Sequence, residues 1–146
     1  WKKEGVQVIW QTGSPFLKQA QEAVARIGYG ECKVHEFVDR MDLAGTLACF
    51  TADARVTIAT FDAVYLGRDS EVRGMYERLF ARYASVWHGD FDHVVQAPER
   101  IASRFTVRNV SLQGALTVKH NCNFFCLRDG LVCDMSVYMS GDNSLR

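Results

Sequence analysis

The sequence predicts an α+β domain in which N-terminal helices cover the concave face of a curved antiparallel sheet and enclose a pocket. Three observations predict it. Apolar residues recur at helical spacing from about residue 14 to 50 and again between about 70 and 86. From Phe91 onward nearly every segment is a β-rich run. Those runs are separated by tight-turn signals, Gln113-Gly114 and Arg128-Asp129-Gly130. Helices first and a long meander afterwards is an α+β order. A sheet of that length must curl, and helices across its hollow side close a cavity.

Residues Trp1 to Gly13 alternate weakly at Val6, Val8 and Trp10, as an arm or short edge strand would. Ser14-Pro15 suits a helix start, and Phe16, Leu17, Ala20, Ala23, Val24 and Ile27 follow at helical spacing until Gly28 and Gly30. A second helix is expected from Glu31 to about Met41, with Val34, Phe37, Val38 and Met41 as its stripe, and a third from Leu43 to Phe50. Thr51-Ala52-Asp53-Ala54 reads as a turn. Period two then begins, with Arg55 to Ala59 and Ala63 to Leu66 as a strand pair closed by Gly67. Asp69 or Ser70 can cap a helix whose face is Val72, Met75, Tyr76, Leu79, Phe80 and Tyr83, running to about Val86. Strands are expected over Phe91 to Gln96, Arg100 to Val110, Leu116 to Leu127 and Leu131 to Met139.

The 146 residues suit a single domain, 1–146, with an arm and helix over 1–30 and a core over 31–142. Apolar residues make up 48% of the chain, enough for a core, while 17 basic residues match 17 acidic ones. That balance argues against nucleic acid or an anionic membrane as partner and favours a small hydrophobic molecule or a second copy of the chain. No apolar run reaches the roughly 18 residues that span a bilayer, and no signal peptide is recognisable, so a cytoplasmic protein is expected. The first residue is Trp1 rather than Met, so residues before it are expected to be missing from the sequence. Five cysteines without paired spacing suit reduced thiols. Cys122 and Cys126 resemble half of a metal knuckle, but on a strand they would lie about 13 Å apart, so no metal and no cofactor is expected.

The order of two helices, Phe50-Thr51-Ala52-Asp53-Ala54 before a strand, Gly67-Arg68-Asp69 before a helix, and Arg128-Asp129-Gly130-Leu131-Val132 before the last strand resembles the nuclear transport factor 2-like superfamily. SnoaL-like polyketide cyclases and ketosteroid isomerases come nearest, over roughly residues 31 to 142. The resemblance implies a cone-shaped fold with a pocket. It does not choose a reaction, since isomerases, cyclases, dehydratases, epoxide hydrolases and non-catalytic proteins share the fold. The position resembling a ketosteroid isomerase's base Asp is Ile58 here, the buried acid donor's is Asn123, and the second helix has no Tyr. Ordinary ketosteroid isomerisation is therefore not expected.

In the register implied by the resemblance, Asn121, Asn123 and Phe125 face the pocket from one strand, Phe105, Val107 and Asn109 from the strand before it, and Met135, Val137 and Met139 from the last. Amides so placed can hold an oxygen that gains charge. Solvated Asn on an edge strand and Met as ordinary core are the plain alternatives. Asp39 resembles the catalytic Asp of scytalone-dehydratase relatives, and burial beside Phe37, Val38 and Met41 would raise its pKa. A solvated carboxylate beside Arg40 is the plain reading. His93 resembles a pocket His of SnoaL-like sequences, sharing its strand face with Phe91 and Val95, and His88 is the second candidate proton carrier. His35 and His120 read as structural.

The expected function is a cofactor-independent lyase or isomerase of the cyclase or dehydratase kind. Asp39, His93 or His88 would move the proton, Asn121 and Asn123 would hold the oxygen, and Asn109, Phe125, Met135, Val137, Met139 and Ile58 would line the site. The alternative is a non-catalytic ligand-binding or dimerising module, because Ile58 is not a base and Cys122, Phe124 and Cys126 offer a strand face to a second copy. A limonene-type epoxide hydrolase is the third option, weakened by Val137 where an Asp is needed.

Overall fold

The computed structural model describes residues 34–96 and 99–146. The arm and the Ser14-Pro15 helix lie outside the described residues. Residues 34–39 are helical (α1), followed by α2 (Leu43–Ala48), β1 (Phe50–Ile58), β2 (Ala63–Leu66), α3 (Arg73–Arg82), β3 (Tyr83–Gln96), β4 (Arg100–Ser111), β5 (Leu116–Arg128) and β6 (Leu131–Met139). The strands form one curved six-stranded sheet in the order β2-β1-β6-β5-β4-β3. Every pairing is antiparallel except β1 with β6, which is parallel.

Local chemistry sets the joints between these elements. Met41 takes a positive φ of 56° and turns the chain out of α1. Asp42 then caps α2, its carboxylate accepting from the Gly45 amide at 2.9 Å. A Cβ at Gly45 would collide with the Phe37 ring, so glycine allows α1 and α2 to meet closely. At the other end of the sheet Asp129 and Gly130 both have positive φ, 54° and 78°, the backbone that a two-residue hairpin requires between β5 and β6. The neighbouring Arg128 guanidinium pairs with the Asp53 carboxylate and holds it below the usual carboxylate range. Two of the three motifs that carry the family resemblance therefore meet in space.

Two expected boundaries moved. The supposed turn at Thr51 to Ala54 is the opening of β1: Phe50 pairs with Val132, and an irregularity separates it from the regular pairing that begins at Arg55. The helix expected to start at an Asp69 or Ser70 cap and end at Val86 is a π-helical turn (Gly67–Val72) leading into α3. Ser70 donates back to the Leu66 carbonyl at 2.9 Å rather than capping forward, and Glu71 accepts from the Leu66 amide at 2.7 Å. Tyr83 turns extended because the chain joins β4, with Val86 opposite Asn109. Tertiary pairing overrode helical spacing there.

The core fills the concave side. Phe50, Val56, Ile58, Val72 and Met75 are fully buried between β1, α3 and the turn before it. Phe50 packs its ring 5.9 Å from Tyr76. Replacing Phe50 by Ala is expected to cost about 3–5 kcal/mol by lost transfer energy and the cavity left behind. Urea unfolding is the measurement, with a lower midpoint and an unchanged slope expected.

Candidate active site

A cavity of about 50 Å³, room for a few water molecules, lies between the inner face of the sheet and the elements above it. Its roof comes from Val34, His35 and Val38 of α1 and from Tyr76 and Leu79 of α3. Its floor comes from β3 to β6, and Ser144 and Leu145 of the C-terminal segment close one end.

His88 enters from β3, and its ring is held by α1. Its Nδ1 lies 2.6 Å from Oδ1 of Asp39, and its backbone N–H donates to Oδ2 of the same carboxylate at 3.1 Å. With Asp39 ionised, Nδ1 carries the proton and donates, which leaves the lone pair of the neutral ring on Nε2. Asp39 itself does not line the cavity. The carboxylate expected to be a direct acid or base instead orients the imidazole that reaches the cavity.

His35, one helical turn before Asp39, was missed as a site residue. It is 6% exposed, its ring lies 4.7 Å from both His88 and Phe105, and its Nδ1 has no hydrogen-bond partner among the described residues. Burial, reinforced by the like-charge repulsion that His88 and His93 would exert on a protonated ring, holds its pKa well below the ordinary histidine value, so the ring is neutral. The i, i+4 spacing of His35 and Asp39 was the available signal, since it puts both on one helical face.

The floor carries three carboxamides. Asn109 is 1% exposed and Asn123 5%, with Asn121 half-buried between them on the wall. The Oδ1 atoms of all three are buried without a hydrogen bond among the described residues. An unpaired buried acceptor costs about 1–3 kcal/mol, so a ligand hydroxyl, an N–H or a water that donated to these groups would be bound favourably. Met135, Val137 and Met139 line the cavity beside them.

Three expected lining residues lie elsewhere. His93, Ser103, Asn123, Val137 and Ile58 form one row across the sheet, but the cavity covers only its middle. Ile58 is fully buried at one end of the row. His93 is buried at the other, its ring stacked on Phe91 at 5.2 Å. Phe125 is buried in core, one row further along, beside Met135. A bulge between Gly89 and Asp92, with Asp90 at φ 56°, shifts the phase of β3, so His88 and His93, five residues apart, both turn inward. His120 is exposed. Among the described residues no three His, Cys, Asp or Glu cluster as metal ligands would, and no helix is long and apolar enough to cross a membrane.

A helix-roofed, curved sheet over a hollow defines the cone class of fold, and solved structures agree on that fold. The chain resembles a candidate polyketide cyclase from Xanthomonas campestris pv. campestris, with TM-score 0.72 and 18% identity, over 80% of this chain and 91% of that one. It also resembles a nuclear transport factor 2-like protein from Anabaena variabilis, with TM-score 0.71 and 12% identity, over 92% and 98%. A third is TerC, crystallised with polyporic acid, with TM-score 0.67 and 14% identity, over 77% and 89%. At these identities the likeness shows the fold. The SnoaL-like domain model matches residues 33–135, and the chain belongs to that family. A curated match of 41% identity, to an N-acetylglucosamine transferase acting on pyrophosphoryl-undecaprenol in Porphyromonas gingivalis, covers 44 residues, 30% of this chain and 12% of that enzyme. So short a stretch transfers no activity.

The neutral state of His35 has a measurable consequence. Below about pH 6.5 the unfolded chain takes up a proton at this residue that the native protein refuses, so stability falls as pH drops from there toward the folded pKa, by up to about 1.4 kcal/mol per pH unit. His35→Phe keeps an aromatic ring in the cluster and removes this contribution. Urea unfolding between pH 5 and 7 is expected to show a shallower acid decline in the variant, and parallel curves would contradict the burial of a neutral imidazole.

Proposed function

We propose that this protein is a small-molecule lyase or isomerase, of the cyclase or dehydratase kind, working by proton transfer at a carbon next to a carbonyl. The observation that carries the reading is the 2.6 Å contact between Asp39 and His88, with His88 on a cavity wall that also bears unpartnered amides. Nε2 of His88 takes the proton from carbon. The electron pair left behind moves onto the carbonyl oxygen, and the imidazolium is stabilised by Asp39. A carboxamide turned about its terminal bond presents Nδ2–H, so Asn121, Asn123 and Asn109 can donate to the oxygen that gains charge. His88 then returns the proton to a second carbon, which gives isomerisation, or to a departing hydroxyl, which gives dehydration. Val137 supplies no carboxylate where an epoxide hydrolase would need one.

The test uses deuterium uptake from D2O at the α-carbons of a panel of cyclic enones and β-diketones, followed by NMR. His88→Gln is expected to lower the protein-dependent rate about 10²–10⁴-fold, and Asp39→Asn to lower it less while shifting the pH profile. Uptake that His88→Gln leaves unchanged would remove the catalytic reading. The competing reading, a binding module without turnover, is favoured by the cavity's small size. It predicts ligand binding with no uptake in any variant.

The same proposal includes a homodimer through the outer sheet face. Val94, Ala102 and Phe124 form one cross-strand row there, and Asp92, Arg104, Cys122 and Tyr138 the next. Phe124 and Tyr138 are 51% and 48% exposed, beside the Arg104–Asp92 and Arg108–Asp90 pairs. A twofold copy can meet this patch apolar to apolar and cation to anion. Light scattering is expected to give a dimer that Phe124→Glu converts to monomer.

A further inference from the structure

Lys119 is a buried cation for which the proton-transfer chemistry above has no use. It is 3% exposed on the inner face of β5, two residues before Asn121. Its Nζ donates to the backbone carbonyl of Asp142, and among the described residues it makes no ion pair. Burial lowers its pKa, the exposed Asp142 carboxylate partly offsets this, and Arg82 lowers it further. Lys119 is thus a buried cation whose hydrogen-bond acceptor is a neutral carbonyl, with the exposed Asp142 carboxylate and Arg82 guanidinium acting on it in opposite directions.

Both hold the same piece of chain. Nη1 of Arg82 donates to the Asn143 carbonyl at 3.5 Å, and the Tyr65 hydroxyl donates to the Leu145 carbonyl at 3.0 Å. Residues 142–145 are therefore strapped down by side chains from β2, α3 and β5, all reaching backbone carbonyls. Asn143 and Ser144 are buried under this strap's own fold, and Ser144 and Leu145 form the end wall of the cavity. With the strap in place the cavity holds only a few waters. Neither Lys119 nor Arg82 lines the cavity, and a larger ligand gains room and reaches both cations by displacing the strap.

Register adds the direction. His88 lies opposite Val107, and Val107 lies opposite Lys119, so the two residues occupy one row of the sheet, their Cα atoms two strand spacings or about 10 Å apart. An acid group on Lys119 would lay the rest of a ligand along that row toward His88. Asn109, diagonal to Lys119 on β4, offers its unpartnered amide in between.

We propose that the ligand of this cavity carries a carboxylate, which displaces the strap carbonyls from Lys119 and Arg82 and anchors the molecule with its reacting end toward His88. The energetic logic is exchange of a neutral carbonyl acceptor for a charged one, which strengthens the hydrogen bonds and neutralises the buried Lys119 ammonium, with the exposed Arg82 guanidinium beside it. This deepens the preceding reading and rests on it only in taking the cavity as the ligand site.

Calorimetric titration of the full chain with trans-cinnamate and with cinnamamide, its neutral counterpart, tests the proposal. Cinnamate is expected to bind at least about tenfold tighter, ~1.4 kcal/mol. Lys119→Met should bring the two ligands within about twofold, whereas Lys119→Arg should retain the preference. Arg82 is exposed, so Arg82→Gln is a variant that leaves the core intact, and it should weaken cinnamate alone about threefold. In the amide NMR spectrum, cinnamate should shift the signals of residues 143–145. Equal binding of acid and amide by the wild-type protein, no binding of cinnamate, or a preference that survives both Lys119→Met and Arg82→Gln would overturn the proposal. Deuterium uptake into neutral enones depends on His88 and not on an acid group, so that reading and this one can fail separately.

Discussion

Asp39 accepts two hydrogen bonds from one residue, the ring and the backbone amide of His88, and that double contact ties the roof of the cavity to its floor. A carboxylate held this way cannot drift, and neither can the ring it grips. The tautomer, the position of the lone pair and the seating of α1 over β3 all follow from it. His35 profits from the same arrangement, because the helix face that delivers Asp39 also presses a second imidazole against His88 and Phe105. Buried between them, His35 stays neutral and contributes bulk and an unpaired nitrogen rather than charge.

The polar groups of the hollow fall into three kinds by what satisfies them. Asp39 and His88 satisfy one another. Asn109, Asn121 and Asn123 present buried oxygens that nothing in the described chain satisfies. Lys119 is answered by a carbonyl of the C-terminal strap. A fold that needed only stability would gain from apolar residues at the last two kinds of position, since each unpaired or underpaired buried group works against folding. Their presence along one inner wall is what distinguishes this hollow from a packing defect.

The outer face of the same strands follows a separate logic. Phe124, Tyr138, Val94 and Trp87 stand exposed among ordered ion pairs, and Arg108 lies 4.2 Å above the Trp87 ring. Alternation along β3 to β6 thus writes two surfaces into one stretch of sequence, a polar-spotted hollow on one side and an apolar, charge-rimmed face on the other.

Much of this was legible in the sequence for a simple reason: periodicity is local. Period two in Leu116 to Leu127 and Leu131 to Met139 was enough to turn Asn121, Asn123, Val137 and Met139 to one face, and Asp129-Gly130 was enough for the hairpin that joins those strands. Other features depended on contacts between distant segments. The Gly89–Asp92 bulge reversed the phase of β3 and brought His88 inward along with His93, which no uninterrupted alternation allows. Asp39 became an orienting group because His88, 49 residues away, arrived beside it. His35 came to line the cavity when the same helix face was closed over it, and Ile58, Phe125 and His93 fell outside the hollow because packing, not alternation, sets where a cavity ends. The sequence by itself determined which residues could face inward, since side-chain direction is a property of neighbouring peptide units. Which of them meet, and which are left without a partner, was decided only when the sheet curled and the helices and strap closed over it.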